Sequence, residues 1–431
     1  MNVLALTPSV QVLRHRPYAH FLTMRVLLAG ARQMEAVAIG WQVYDLARLD
    51  RTVEESALLL GLIGLTQFVP VLLFSLIGGQ VADRLDPKKI LIATNTARFL
   101  ATVILLATAF LAPRHALPSI FAVAVILGTV NAFVPAAANT LYPRLVPRAE
   151  LPAAIAWNSL GFQSAAIAGP ALGGVLYIGG PETVYGVSLV LIGLALLAIA
   201  TAKTPKHIPP RRQRGLAMMK EGLLYVRGNK IVLGAISLDL VVVFFAGATA
   251  LLPIFARDVL HVGTEGLGAL RAAPAFGAGL VALGLAFAPL TQAVGRWMMA
   301  AIFVYGLSML AFGLSTSFVL SLAALGVSGA ADMVSMYVRQ SLIQLATPDG
   351  MRGRVSSVSF IFVSASNELG EFESGVAARL LGPVGAVVLG GTAAIVTALA
   401  WFKLFPALTR ADRFDELPGE APAPAAGAPA S

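Results

Sequence analysis

A small set of ionisable side chains stands inside long apolar runs of this chain, and these are the groups whose chemistry has to be explained. They are Arg32, Glu35, Asp239, Arg271, Asp332, Arg339, Glu368, Glu371 and Glu373. A charge at the centre of a membrane-spanning helix costs about 2.5–3.5 kcal/mol on insertion scales, so carrying several points to use. Arg32 and Glu35 are three residues apart and are expected to pair on one helix face. Glu368 and Glu371 share a face in the same way, whereas Glu373 points roughly 140° away from Glu368. Neighbouring carboxylates in a medium of low dielectric repel, and an acid so placed can take a proton from one side and give it up on the other. Glu35, Asp239, Asp332, Glu368 and Glu371 therefore read as proton-coupling candidates. Arg32, Arg271 and Arg339, with the amides Asn131, Asn158 and Gln163, read as the lining of a water-filled substrate cavity. Arg25, Arg98 and Asp45 lie nearer the helix ends and are expected to form structural ion pairs or to reach water.

Other chemistries find no support. The histidines His15, His20, His115, His207 and His261 are scattered, and cysteine is absent, so no metal site is expected. No Ser/His/Asp set and no Gly-rich phosphate loop falls in register with the apolar runs. An enzyme is not expected, nor a cofactor, nor ATP as the direct energy source of this chain.

The elements that hold these residues must lie in lipid. The 431 residues are 57% hydrophobic and 12% charged, with mean hydropathy +0.80. Soluble domains carry roughly 25% charged residues, and so few charges cannot cover a water-facing surface. A spanning helix needs about 20 apolar residues. Runs broken by Gly, Pro and charge clusters predict twelve spans at 20–47, 56–82, 89–112, 117–142, 152–178, 183–202, 231–256, 265–289, 296–315, 318–345, 355–380 and 384–406. With the N-terminus in the cytoplasm, most of the 31 lysines and arginines fall on the cytoplasmic face, and only Arg48, Arg51, Arg114, Arg257 and Arg379 fall on the other. Both termini are therefore expected in the cytoplasm. The net charge of +9 reads as basic membrane loops rather than a nucleic-acid surface. No cleavable signal is visible, and the Pro/Ala-rich segment 417–431 reads as a disordered end.

The longest loop, 203–230, carries Pro205, Pro209, Pro210, Arg211, Arg212 and Arg214 and divides the spans six from six. Within it, Gly215–Arg227 is expected to lie at the membrane surface on a face of Leu216, Met219, Leu223 and Val226. The expected organisation is an N-terminal half over 1–202, a cytoplasmic linker over 203–230, a C-terminal half over 231–406 and a tail over 407–431. An offset of 201 residues sets Asn131 on Asp332, Pro147 on Pro348, Gly169 on Gly370 and Gly174 on Gly375. That is the signature of two parallel repeats.

Two motifs carry a family likeness. Gly78-Gly79-Gln80-Val81-Ala82-Asp83-Arg84-Leu85-Asp86-Pro87-Lys88-Lys89 resembles the loop signature of the major facilitator superfamily, with Asp86-Pro87 where a second glycine is usual. The resemblance implies a conformational latch of Gly79, Asp83, Arg84, Lys88 and Lys89, in which Asp83 meets the N-terminus of the eleventh helix. Gly169-Pro170-Ala171-Leu172-Gly173-Gly174 resembles the helix-packing motif of antiporters in that superfamily. Trp41-Gln42-Val43-Tyr44-Asp45-Leu46, Tyr142-Pro143-Arg144-Leu145-Val146-Pro147 and Asn367-Glu368-Leu369-Gly370-Glu371 are similar to the enterobactin-exporter-like, or transmembrane secretion effector, branch.

The resemblance implies an all-α membrane protein of twelve helices in two six-helix halves. It implies a secondary active exporter of siderophores or drug-like compounds in a bacterial inner membrane, working by alternating access with proton antiport, as a functional monomer among membrane lipid. Helix 4 holds Asn131 and no internal arginine, so coupling through a helix-4 arginine is not available. An uptake permease of the same fold and a lipid-handling protein are the alternatives.

Overall fold

The computed structural model describes residues 10–111, 116–205, 215–245 and 247–409. Within its helices the side chains of Leu76, Gln80, Asp83, Asp349, Phe360, Ser364 and residues 215–218 are outside the described set. The basic linker run with Arg211, Arg212 and Arg214 and the tail 417–431 also lie outside the described residues.

The described chain is helical, with α1 Arg16–Ala47, α2 Val53–Arg84, α3 Pro87–Leu111, α4 Ala116–Leu141, α5 Leu151–Leu176 and α6 Pro181–Thr201 in the first half. Helix α7, Gly215–Gly228, belongs to the linker. The second half holds α8 Lys230–Phe245, the short α9 Leu252–Ile254, α10 Thr264–Phe287, α11 Val294–Leu314, α12 Phe318–Leu345, α13 Asp349–Leu404 and the final turn α14 Pro406–Thr409.

Starts and stops follow local chemistry. At the head of α2 the Thr52 hydroxyl accepts the Glu55 N–H at 3.3 Å, and the Glu55 carboxylate accepts the Thr52 N–H at 3.2 Å. This reciprocal cap satisfies two otherwise orphaned donors. Asp86 accepts the Lys88 N–H at 2.9 Å ahead of Pro87, the first residue of α3. The position that departs from the family glycine is thus the residue that opens a helix.

Among the described residues, ten helices are long and apolar enough to cross a membrane, against the twelve spans expected. Two reasons account for the difference. The stretch α13 is two helices joined at a kink at Gly382, which adopts φ +76 before Pro383, so it holds two expected spans. Helix α1 is 32 residues long, but Arg25, Arg32, Glu35 and Asp45 make it less apolar than the rest.

Helix α7 forms where a surface helix was expected, and its apolar residues meet protein only in part. Val226 is buried, and Leu223 remains 48% exposed. A Cβ on Gly222 would sit 2.9 Å from the Arg354 carbonyl oxygen of α13. The Tyr225 hydroxyl donates to Ala346 O at 2.7 Å, and Arg354 pairs with Glu221 at 2.6 Å. These contacts fasten the linker helix to the C-terminal half.

The packing repeats between the halves. Helix α1 packs on α5 and α6, and α4 on α2 and α3; α8 packs on α13, and α12 on α10 and α11. The halves meet where α2 crosses α13 and where α5 crosses α10. Both crossings bring glycine against glycine. A Cβ on Gly61 would lie 2.9 Å from Gly375 Cα, and one on Gly174 would lie 3.0 Å from Gly268 Cα. Gly174 and Gly375 are the repeat partners at the 201-residue offset, so the repeat has a structural meaning: it builds the two inter-half crossings.

The apolar core is distributed unevenly. On the face away from the linker, Val37, Val43, Leu60, Leu251, Phe255, Phe312 and Ala377 belong to one cluster that runs through both halves. On the linker face each half has its own cluster, with Phe21, Leu91, Leu141 and Ile199 in the first and Val232, Met298, Leu342 and Val355 in the second. Among the described residues, the halves are fused at the far face and separately packed at the linker face.

Gly174→Ala should cost about 1–3 kcal/mol, because the new methyl overlaps the backbone of α10. Gly186→Ala, which meets nothing within 4 Å inside α6, should leave stability unchanged or raise it by up to about 1 kcal/mol. Thermal unfolding of the two purified variants in detergent checks this pair.

Candidate functional site

Two adjoining cavities occupy the middle of the bundle. The first, about 150 Å³, lies between the halves and is walled by Arg32, Gln33 and Glu35 of α1, Gln67 of α2, Arg98 of α3, Asn131 of α4, Arg271 of α10 and Glu368 and Glu371 of α13. The second, about 240 Å³, lies within the C-terminal half and is walled by Asp239 of α8, Arg271, Tyr305 of α11, Asp332 and Arg339 of α12, and Asn367 and Glu371 of α13. Arg271 and Glu371 stand in both walls.

The charged residues fall into two kinds. Some are committed. Arg98 donates to Glu35 Oε2 at 2.7 Å, and the Thr102 hydroxyl donates to Glu35 Oε1 at 2.6 Å. Both ends of that pair are buried, and it ties α1 to α3. In the other half Arg339 donates to Asp239 Oδ1, which ties α12 to α8. The expected Arg32–Glu35 pair is not formed, because Arg98 reaches Glu35 from the neighbouring helix. Arg98 and Asp45 are both in ion pairs, as their positions suggested.

Other charges are uncommitted. Arg32, Arg271, Asp332, Glu368 and Glu371 have no ion-pair partner within 4 Å among the described residues. Arg32 is solvent-exposed although it sits midway along α1, because it faces the cavity. Arg271 reaches across the interface toward the Ala36 carbonyl at 3.5 Å. Glu371 lies against α2, where a Cβ on Gly64 would stand 3.1 Å from its Oε2. Glu373 is outside both walls and half-buried.

The amides Asn158 and Gln163 are not in either wall. Gln163 instead donates to the Ala275 carbonyl, from α5 to α10, and serves as an inter-half fastening. Gln33, Gln67 and Tyr305 were not anticipated; nothing in their type or spacing separates them from neutral polar residues such as Asn158 that face elsewhere.

The far face is held by two polar contacts as well as by the shared core. A π-helical turn over Phe255–Val259 presents Arg257 and Asp258 to the end of α1. Arg257 donates to Asp45, the Tyr44 hydroxyl donates to Asp258, and the Arg257 guanidinium lies 5.8 Å from the Tyr44 ring centroid. Such turns insert a residue and redirect side chains, a common device at functional sites.

The motif residues divide similarly. Gly169 and Gly173 pack on Gln33 and Met34 of α1, and Gly174 on α10, with Pro170 buried between them. Helix α5 is thus wedged between its own half and the other. In the latch motif, a Cβ on Gly79 would meet nothing within 4 Å; the close approach is made by Gly78, which abuts Ala132 of α4. Lys88 donates to the carbonyls of Ala200 and Ala202 at 2.9 and 2.7 Å, at the C-terminal end of α6, where the helix dipole favours a cation. Arg84 and Lys89 are exposed, and the side chain of Asp83 lies outside the described residues.

The profile of the transmembrane secretion effector family matches residues 10–425. An enterobactin exporter of Escherichia coli O1:K1 / APEC is 25% identical over 326 residues, covering 75% of this chain and 74% of that protein. The enterobactin exporter of Shigella boydii serotype 18 gives the same values. Among solved structures, a D-xylose–proton symporter superposes with TM-score 0.69 at 14% identity, covering 91% of this chain and 99% of that one. A bacterial homologue of the human lysosomal transporter Spinster, inward-facing and occupied, superposes with TM-score 0.68 at 15% identity, covering 94% and 99%. These likenesses show a shared fold.

The Glu35–Arg98 pair yields a stability test. Arg98→Met leaves a buried carboxylate uncompensated and should destabilise by about 3–5 kcal/mol. Adding Glu35→Met should recover most of that loss, as read by thermal unfolding of the single and double variants.

Proposed function

Because this chain belongs to the transmembrane secretion effector family and has the fold of the major facilitator transporters, we propose that it is a secondary active exporter of small molecules, working by alternating access with protons moving inward. The observation that carries this reading is the cavity between the halves. Arg32 and Arg271 come to it from opposite halves, and Glu368 and Glu371 stand beside them without an ion pair. Charges held apart in this way respond to a proton or a substrate, whereas a closed pair such as Glu35–Arg98 does not.

The direction of transport draws support from the relatives. The curated relatives are exporters of enterobactin, which favours siderophores or drug-like compounds as the substrate class. The halves are fused at the far face and separately packed at the linker face. With the basic linker face in the cytoplasm of a bacterial inner membrane, this conformation faces the inside, where an exporter loads its substrate and an importer releases it. Release to the other side requires the far-face core to part and the Arg257–Asp45 and Tyr44–Asp258 contacts to break. Protonation of Glu368 or Glu371 removes a negative charge between two arginines of different halves and so changes what holds the halves together.

Two measurements test the reading. Glu368→Gln and Glu371→Gln should each lower efflux at least tenfold while membrane insertion stays normal; full efflux by the double variant sinks the coupling role. Deleting the gene, starving the cells of iron and comparing medium with cytosol by mass spectrometry should show a metabolite trapped inside and missing outside. An unchanged profile removes siderophore export and leaves drug-like substrates to a sensitivity screen.

A further inference from the structure

We propose that the outer face of the linker helix α7 is a docking surface for anionic phospholipids of the leaflet on the linker side. Lys220 and Arg227 meet the headgroup phosphates, and Leu223 and Leu224 enter the acyl boundary. Such docking is independent of the exporter reading, because it does not depend on the cargo or its direction.

Contacts with three spans fix the level of α7. Its C-terminal end leads through Asn229 into α8, and the Asn229 Oδ1 accepts the N–H groups of Ile231 and Val232 at 3.1 and 3.2 Å. The Tyr225 hydroxyl and the Asn229 amide both donate to Ala346 O, at 2.7 and 3.3 Å, just past the end of α12. Glu221 pairs with Arg354 at 2.6 Å, and a Cβ on Gly222 would stand 3.1 Å from Val358 Cγ2, early in α13. The segments that begin at Lys230, end at Leu345 and begin at Gly350 are all long and apolar enough to span. Helix α7 is therefore held where three spans cross the membrane boundary.

The same contacts divide the helix into two faces. Gly222 and Val226 are buried and Tyr225 is half-buried against the C-terminal half. Lys220, Leu223, Leu224 and Arg227 are exposed, and they fall within about 100° of arc on the opposite side. A single exposed leucine is ordinary. Two adjacent ones between two cations, at the level of the membrane boundary, match a helix that lies in the interface.

Charge selects the kind of lipid. Glu221 is the one acid in the sequence of α7, and Arg354 neutralises it. Lys220 and Arg227 are in no ion pair among the described residues. The outer face is therefore positive, and Lys230 beside it is exposed as well. Arg211, Arg212 and Arg214 precede the helix in sequence and add to the same sign. A zwitterionic headgroup brings its own cation to such a face, whereas an anionic one does not. Each basic residue near an anionic leaflet strengthens binding by about fivefold.

The test uses the full-length protein in vesicles, with bimane on Leu224→Cys, a single label because the chain has no cysteine. Phosphatidylglycerol or phosphatidylcholine with brominated acyl chains, each diluted in plain phosphatidylcholine, serves as quencher. The brominated phosphatidylglycerol should reach half-quenching at about tenfold lower mole fraction. Adding Lys220→Gln with Arg227→Gln should abolish that preference, whereas Lys220→Arg with Arg227→Lys should keep it. Lys203→Gln with Lys206→Gln, elsewhere in the linker, should also keep it. Equal quenching by the two lipids, quenching by neither, or an unchanged preference in the double glutamine variant overturns the surface. Loss of the preference in the Lys203 and Lys206 control assigns it to the linker as a whole and overturns the role of α7. Salt keeps the test decisive if the glutamine variant fails to fold. At about 1 M the screening length falls to about 3 Å, so the preference should vanish, and a preference that survives overturns the charge-based docking.

Discussion

An ionised side chain inside a bilayer must find compensation, and the way this chain supplies it organises the whole molecule. Within each half the compensation is local and complete enough to act as a peg. Glu35 is held by Arg98 and Thr102, so α1 and α3 are locked. Asp239 is held by Arg339, so α8 and α12 are locked. Between the halves the compensation is loose: Arg32, Arg271, Glu368 and Glu371 share a cavity at distances beyond an ion pair. Breaking a buried pair costs several kcal/mol. The same low dielectric therefore makes each half stiff, whereas the charges between the halves have no fixed partner.

The crossings between the halves suit that division. Where α2 meets α13 and α5 meets α10, the contact is backbone against backbone through Gly61, Gly375, Gly174 and Gly268. Small residues let helices approach closely in lipid, where no hydrophobic effect drives helix to helix. A glycine contact also has no side chain to withdraw when the crossing angle changes. The far-face core and the Arg257–Asp45 pair supply the holding force that the glycines lack. Holding and pivoting are thus carried by different residues, and a conformational change can break the first without rebuilding the second.

Much of this was legible in the sequence, and the failures have specific causes. The Gly382-Pro383 break separated the last two spans correctly, because a positive φ followed by proline is a local property. Of the polar residues inside apolar runs, Arg32, Glu35, Asn131, Asp239, Arg271, Asp332, Arg339, Glu368 and Glu371 stand in the walls of the two cavities, whereas Asn158, Gln163 and Glu373 do not. Partners were less legible. Glu35 was matched to the nearest arginine on its own helix, but α3 delivers Arg98 to the same carboxylate from 63 residues away, and spacing within one helix carries no information about a neighbour. Gly78 and Gly79 differ by one position, which is about 100° around the helix; only the location of α4 decides which of them is pressed. Gln163 is polar and midway along α5, as a cavity residue would be, yet its amide is taken by the Ala275 carbonyl of α10.

The repeat explains the scaffold, and its departures explain the chemistry. Two copies of one six-helix plan give the matched crossings at Gly174 and Gly375. Symmetry that strict would also give two equal cavities, and the charges prevent it. The first half ties α1 to α3, whereas the second ties α8 to α12, so the two pegs sit in different places within the same plan. The position that is neutral in the first half, Asn131, is an acid in the second, Asp332. Glu368 and Glu371 on α13 have Ile167 and Pro170 at the corresponding positions of α5. Negative charge is therefore concentrated on the C-terminal side of the interface, opposite Arg32 on the N-terminal side. A carrier built this way presents unlike surfaces to its cargo from its two halves. A change of charge on one surface then alters the attraction between them without disturbing the packing inside either.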